Sequence, residues 1–384
     1  MVHAQDDHAA PDQDKRGRII AGFTLALVIA LCAFFLIEAS SAARVGFGSL
    51  WFLTFLPAYL CALICYVGDR DGTRPASFYS MVPVAFAFIV VAGSMVILHE
   101  GVICVLMLLP LWLFFGWLGA NMMRRSRRWT ADQNTFRSSL VLMPLFAGTL
   151  EAQVPVPHDR YAVVREIVIE ASPEEIWPYA VSNRHIAESE GRWTFTQDIL
   201  GVPRPRATTV TGFGVGHVRT AYWGDHINFE ERITQWQPGR RLGWRFAFTN
   251  STVQDYTDKH IAPDGEFLKI DTGDYTLTRL SPTTTRLTLR TNYIAKTHAN
   301  PYAALWGEIL LGDVQSNVLA VIKARGRSAA SPRRSCAALK VCETPFLHTL
   351  TSRIFSREGS RPSMRCNLGC GHRAAWSGGL GCNL

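Results

Sequence analysis

The chain has 384 residues, 48% of them hydrophobic, and a formal net charge of +8. That length admits two or three domains. The basic residues gather at the ends of apolar runs instead of forming one face, which argues against a nucleic-acid partner as the origin of the charge.

Residues 1–14 are polar and read as a disordered N-terminus. Four apolar runs follow within residues 15–128, near Ile19–Ile37, Leu50–Val67, Met81–Leu98 and Val102–Leu118. Each is about the 20 residues that a helix needs to cross a bilayer core. The first is too long, and too quickly followed by others, for a cleaved signal peptide. An integral membrane protein is the expectation, with four transmembrane helices in contact with the lipid bilayer. Lys15, Arg16 and Arg18 precede the first run, Arg70 and Arg74 divide the second from the third, and Arg124, Arg125, Arg127 and Arg128 follow the fourth. The positive-inside rule then places the N-terminus and the stretch after the fourth span in the cytoplasm, as in a bacterial inner membrane. The spans hold no Asp, Lys or Arg in their middles, and Glu38 sits at an end. Ion and substrate pathways normally leave ionisable groups at mid-membrane depth, so an anchor is expected and not a transporter.

Residues 129–160 form a linker. Within it Ser138–Leu150 is apolar but short for a span, and Pro144 and Gly148 weaken it as a straight helix. It reads as an interfacial segment, which leaves the rest of the chain cytoplasmic. If it crosses, everything beyond it moves to the other side.

From Tyr161 to Arg327 the sequence alternates like a soluble α+β domain. Val163–Glu170 is a strand. Ser172-Pro173-Glu174-Glu175 starts a helix, with Ser as N-cap, Pro at the first helical position and Glu closing a capping box. A second short helix is expected over Arg184–Ser189. Strands follow near Ala207–Phe213, His217–Trp223, His226–Trp236, Arg241–Phe248, Phe267–Leu280 and Thr285–Ala295. Thr249–Gly265 is a long polar connection containing His260, of the kind that often serves as a lid. Asn300-Pro301 opens a long helix whose Trp306, Leu310, Val314, Val318 and Ile322 recur at about one turn.

Two hairpins set the inner face of the predicted sheet. Taking Pro238-Gly239 as a two-residue turn pairs Gln235 with Leu242, Ile233 with Trp244, Glu231 with Phe246 and Phe229 with Phe248. Taking Gly224-Asp225 likewise pairs Tyr222 with Ile227, Thr220 with Phe229 and Val218 with Glu231. Period-2 alternation then gathers these residues on one face, a carboxylate among aromatic groups. The same registers send Arg219 to the outer face, paired with Glu230, together with His217 and His226.

The run EIVIEASPEEIWPYA resembles the first strand and helix of the SRPBCC superfamily, the START and polyketide cyclase-like helix-grip domains. GFGVGHVRTAYW and FEERITQWQPGRRLGWRF are similar to its middle hairpins, and NPYAALWGEILLGDVQSNVLAVIKARGR to its C-terminal helix. The resemblance covers residues 161–327 and implies a curved antiparallel sheet gripping a long C-terminal helix over a cavity. The superfamily includes lipid carriers, cyclases and hydrolases, so the resemblance implies a fold more than a chemistry.

Expected lining or ligand-binding residues are Thr220, Tyr222, Phe229, Glu231, Ile233, Trp244, Phe246, Phe248, Tyr275 and Trp306. Glu231 is the candidate acid or base, and its bland reading is a structural carboxylate hydrogen-bonded in place. No triad order, phosphate-cradling loop or metal cluster accompanies it, so no cofactor and no metal are expected. Residues 328–384 read as a disordered tail. Its Cys366, Cys370 and Cys382 lack the paired spacing of a zinc site. The leading expectation is a membrane-anchored domain binding a hydrophobic or amphipathic small molecule, such as a lipid. The alternatives are a cyclase-, dehydratase- or hydrolase-like enzyme using Glu231, and a regulatory or scaffolding membrane protein.

Overall fold

The computed structural model describes residues 10–39, 48–98, 101–126, 148, 150–151, 153–249, 252–253 and 262–341. By compactness the chain divides after Ser335. The expected tail lies outside the described residues from 342 onward, as do His260 and residues 138–147. The helix expected to stop near Arg325 runs from Asn300 to Val341.

Four helices fill the expected membrane region: α1 (Ala10–Ala39), α2 (Leu56–Gly68, entered through a wide turn at Trp51–Phe55), α3 (Ala76–Gly93, leaving through a similar segment at Ser94–Leu98) and α4 (Val102–Ser126). Among the described residues all four, with α2 counted from Trp51 and α3 to Leu98, are long and apolar enough to cross a membrane, which is compatible with a membrane protein. Their order alternates in direction. Arg18 at the start of α1 bonds Asp71 just after α2 at 3.1 Å, and Tyr79 in α3 donates to Asp69 at 2.6 Å. At the other end Phe52 packs on Trp112, which stacks on Phe86. Gly119 of α4 lies directly on the Ala58 backbone, where a Cβ would have no room. Such small-residue contacts let apolar helices approach closely in lipid.

Asp159–Ile169 (β1) leads into α5 (Pro173–Val181) through the expected capping box. Ser172 N donates to Glu175 Oε2 at 2.9 Å, and Glu175 N returns to Ser172 Oγ at 3.4 Å. The helix expected over Arg184–Ser189 does not form. Asn183 is tied into a bridge with Thr208, and His185 sits at φ +53°, both incompatible with continued helix. The second helix, α6 (Phe195–Asp198), comes later, its start capped by Thr194.

Strands β2 (Pro205–Val210), β3 (Val218–Trp223), β4 (Ile227–Gln237), β5 (Arg241–Ala247), β6 (Leu268–Ser281) and β7 (Thr284–Ala295) complete a seven-stranded antiparallel sheet. Its order is β1-β7-β6-β5-β4-β3-β2. The final helix α7 (Asn300–Val341) packs on one face of it. Leu319 and Ile322 are buried with Ile169, Leu242 and Leu287 in the main core. By length and composition α7 is a fifth helix able to span a membrane. In this fold its apolar stripe is used on the sheet.

Both hairpin loops hold three residues where two were expected, and the outcomes differ. In β4–β5 the loop spans 238–240, so Gln235 faces Gly243 and Trp236 faces Leu242; the expected Gln235–Leu242 pair is absent. A bulge between Ile233 and Gln235 absorbs the extra residue and restores Ile233 opposite Trp244 and Glu231 opposite Phe246. In β3–β4 the loop spans 224–226, with Gly224 at φ +54°, and no bulge compensates. The strand slips by one, and every β3 side chain changes face.

Candidate functional site

Between α7 and the sheet lies a cavity of about 290 Å³. Phe229, Phe246 and Phe248 form one apolar wall, their ring centroids 5.6–6.0 Å apart. Leu310, Val314 and Val318 of α7 form the facing wall, one turn apart as the helical stripe predicts. Trp244 and Tyr275, with centroids 5.1 Å apart, lie at its base. Gly273, opposite Trp244 on β6, leaves room for the indole: a Cβ there would stand 2.5 Å from Trp244 Cε2.

The slip of β3 supplies the group that the sequence reading missed. Arg219 faces Glu231 instead of Glu230, and the two form an ion pair through Arg219 Nε and Glu231 Oε2. They are 3% and 5% exposed, respectively, and both line the cavity. Arg219 Nη1 also donates to Ala180 O at 2.6 Å, tying the pair to the end of α5. The guanidinium carbon stands 4.5 Å from the Trp244 ring centroid and 5.4 Å from that of Tyr275, a cation–π arrangement on two rings. Burial opposes the Arg219 charge, but Glu231 and then Tyr275 outweigh it and hold the guanidinium above its ordinary pKa. Burial likewise raises the Tyr275 hydroxyl, against the pull of Arg219. Taking such charges out of water is costly unless each meets the other, as here.

Two further buried polar atoms bear on the cavity. Trp244 Nε1 makes no hydrogen bond, nor does Gln315 Oε1, although Gln315 Nε2 donates to Thr291 Oγ1 at 2.8 Å and Val163 O at 3.2 Å. A buried donor and a buried acceptor left unmade each cost about 1–3 kcal/mol, and both residues line the cavity.

Of the expected lining residues, Phe229, Glu231, Trp244, Phe246, Phe248 and Tyr275 line the cavity. Thr220 and Tyr222 do not: the slip turns them outward, and Tyr222 is 41% exposed. Ile233 is buried in the core beneath the cavity instead of lining it. Trp306 stands one turn before the lining stretch of α7 and packs edge-on against Tyr302. The expected Arg219–Glu230 surface pair is absent; Glu230 lies opposite Thr220 and 3.6 Å from Arg232. Arg219 had one signal in the sequence. A carboxylate buried among aromatic rings calls for a cation or a hydrogen-bond donor, and Arg219 is the one Lys or Arg on the strand before it, although the strand after it also offers Arg241 and Arg245.

Among the described residues no three His, Cys, Asp or Glu side chains converge as a metal site. No family description matches the chain, and no curated protein matches it. Solved structures similar to it include a norcoclaurine synthase point mutant from Thalictrum flavum in complex with a transition-state analogue. It is 12% identical, with 44% of this chain and 96% of that one covered at a TM-score of 0.28. An aromatase/cyclase from a Streptomyces species is 16% identical over 47% of this chain and 98% of its own, also at 0.28. A protein from Thermus thermophilus is 14% identical, covering 44% and 99%, again at 0.28. Values this low carry no functional argument, and the fold rests on the strand order and grip helix described above.

Proposed function

We propose that the chain is a membrane-anchored receptor or carrier domain that binds an amphipathic small molecule or lipid in the cavity between the sheet and α7. The observation that carries this reading is one apolar chamber ending in a few polar groups. Its walls are mainly phenylalanine and aliphatic side chains, and its polar groups include the Arg219–Glu231 pair, Trp244 Nε1 and Gln315 Oε1. Ligand sites are commonly built this way, apolar for affinity with a few polar groups to fix orientation. The apolar tail of a ligand packs against Phe229, Phe246 and Phe248. Its head offers an acceptor to Trp244 and a donor to Gln315, as a hydroxyl or amide does. Four apolar helices beside the domain hold it at a bilayer, where such molecules dissolve.

Binding is favoured over catalysis because Glu231 is already engaged by a guanidinium, which neither takes nor gives a proton at ordinary pH. A second reading, acid–base chemistry of the cyclase or hydrolase kind, draws on Tyr275 beside the same pair. Titration of the detergent-extracted full chain with cis-parinaric acid separates the readings from a filled scaffold. Saturable binding that Trp244→Ala weakens more than it lowers the melting temperature supports a ligand site. Absence of binding removes it.

A further inference from the structure

The way the cavity domain meets the helical bundle bears on which side of the membrane it occupies. At one end of the bundle lie Arg18, Asp71, Arg74 and the last turn of α4 with Arg124 and Arg125. The domain contacts the opposite end. His298 N donates to Gly48 O at 3.1 Å, and the amides of Leu50 and Trp51 donate to the Glu151 carboxylate at 2.6 and 2.7 Å. Tyr302 of α7 donates to Met107 O at 2.5 Å, and Ala299 is buried in the same cluster as Phe52 and Trp112. Ile103, in the first turn of α4, is itself part of the cavity wall.

The chain therefore leaves α4 at the basic end and reappears at Leu150 and Glu151 beside Trp51, at the other. Helix α4 alone has 25 residues, about 37 Å at the helical rise. In sequence, the intervening stretch 127–147 carries the apolar run SSLVLMPLF.

We infer that the cavity domain faces the non-cytoplasmic side of the membrane and takes its ligand from that leaflet past Ile103. The basic end marks the cytoplasm by the positive-inside rule, and the domain sits at the other end. This reverses the cytoplasmic side expected when Ser138–Leu150 is read as interfacial. The side rests only on the docking contacts and the charge pattern. The leaflet supply rests in addition on the proposed ligand-binding reading. Ile103 is the point where α4 forms cavity wall, which makes it the place of entry for an amphiphile from the adjoining leaflet.

Two measurements on the full chain test this separately. In intact cells and after permeabilisation, a membrane-impermeant maleimide is applied to Val215→Cys, on the exposed domain surface, and to Asp71→Cys, at the basic end, with the native cysteines replaced. Labelling of Val215→Cys in intact cells, and of Asp71→Cys only after permeabilisation, is expected. Both sites reacting only after permeabilisation overturns the inference. If cysteine replacement unfolds the protein, protease treatment of the unaltered chain in right-side-out and inside-out vesicles gives the same answer. Peptides from 205–247 should be cut in the first and protected in the second; the reverse overturns it.

For the supply route, the chain is placed in phosphatidylethanolamine–phosphatidylglycerol vesicles carrying diazirine-tagged phosphatidylethanolamine. Ile103→Trp should lower photolabelling of the peptide holding Phe229 several-fold, by more than it lowers cis-parinaric acid binding in detergent. Unchanged labelling overturns the route alone, and loss of all cis-parinaric acid binding by the unaltered chain overturns the ligand reading beneath it.

Discussion

Arg219 and Glu231 face each other across β3 and β4 as a solvent-excluded ion pair lining a mostly apolar cavity. Each charge is tolerated there because of the other, so single and double substitutions should behave differently. Arg219→Met or Glu231→Leu alone leaves one buried charge uncompensated and should cost about 3–5 kcal/mol in thermal or denaturant unfolding. The double variant should recover most of that loss, since buried pairs replaced by apolar groups of similar volume are often neutral or better. If its cost instead equals the sum of the singles, the two groups are energetically independent and the pair is misassigned.

The slipped register of β3 makes an opposite pair of claims about adjacent residues. Ala221 is buried on the cavity side, whereas Tyr222 points outward. Ala221→Phe should therefore fill the chamber and abolish uptake of a hydrophobic probe. Tyr222→Ala should change stability by less than about 0.5 kcal/mol, as exposed substitutions usually do. Probe titration and melting curves for the two variants read this directly; a large effect at Tyr222 with none at Ala221 returns the strand to a two-residue turn.

Gly273 provides a packing test that needs no ligand. A methyl group there meets the Trp244 ring at 2.5 Å, and that ring is also packed against the Arg219 guanidinium. Gly273→Ala should destabilise by about 1–3 kcal/mol through overpacking. It should also shift the near-ultraviolet circular dichroism of the indole. A neutral result means that Trp244 is free to move.

Much of this architecture was legible in the sequence because each signal was local. The Ser172 capping box, the apolar runs and the stripe Leu310–Val314–Val318 follow from spacing alone. Glu231 opposite Phe246 was also legible, although for an incomplete reason. The β4–β5 loop has an extra residue, and the bulge near Thr234 cancels it. Turn spacing does not distinguish that compensated hairpin from the uncompensated one at 224–226, so it sends Arg219, Thr220 and Tyr222 to the wrong faces. Both faces of VRTAYW mix polar and apolar groups, and alternation cannot choose between them. The contacts of Tyr302 with Met107 and of Glu151 with Trp51 join segments far apart in the chain, and no local pattern announces them.

Acid should loosen α7 from the loop between α5 and α6. Glu190 is paired with Arg325 of α7 at 2.7 Å, and hydrogen bonding from that guanidinium, against the opposing effect of burial, holds its carboxyl below the ordinary 4.5. A carboxyl depressed on folding adds stability above its unfolded pKa, and that stability is lost as pH falls through the folded value. The melting temperature should therefore decline below about pH 4.5, the unfolded value, and Arg325→Gln should flatten that decline. An acid limb identical in the variant assigns the loss to other carboxylates.

The central claim, that the chamber between the sheet and α7 holds an amphipathic molecule, is tested most directly by native mass spectrometry of the gently extracted full chain. We expect a small molecule to accompany the unaltered protein. It should be absent from Ala221→Phe, which fills the chamber, and reduced in Trp244→Phe, which keeps an aromatic ring but removes the unpaired indole donor. A chain that carries no small molecule and takes up no added fatty acid or phospholipid, while Ala221→Phe proves as stable as the original, contradicts the account.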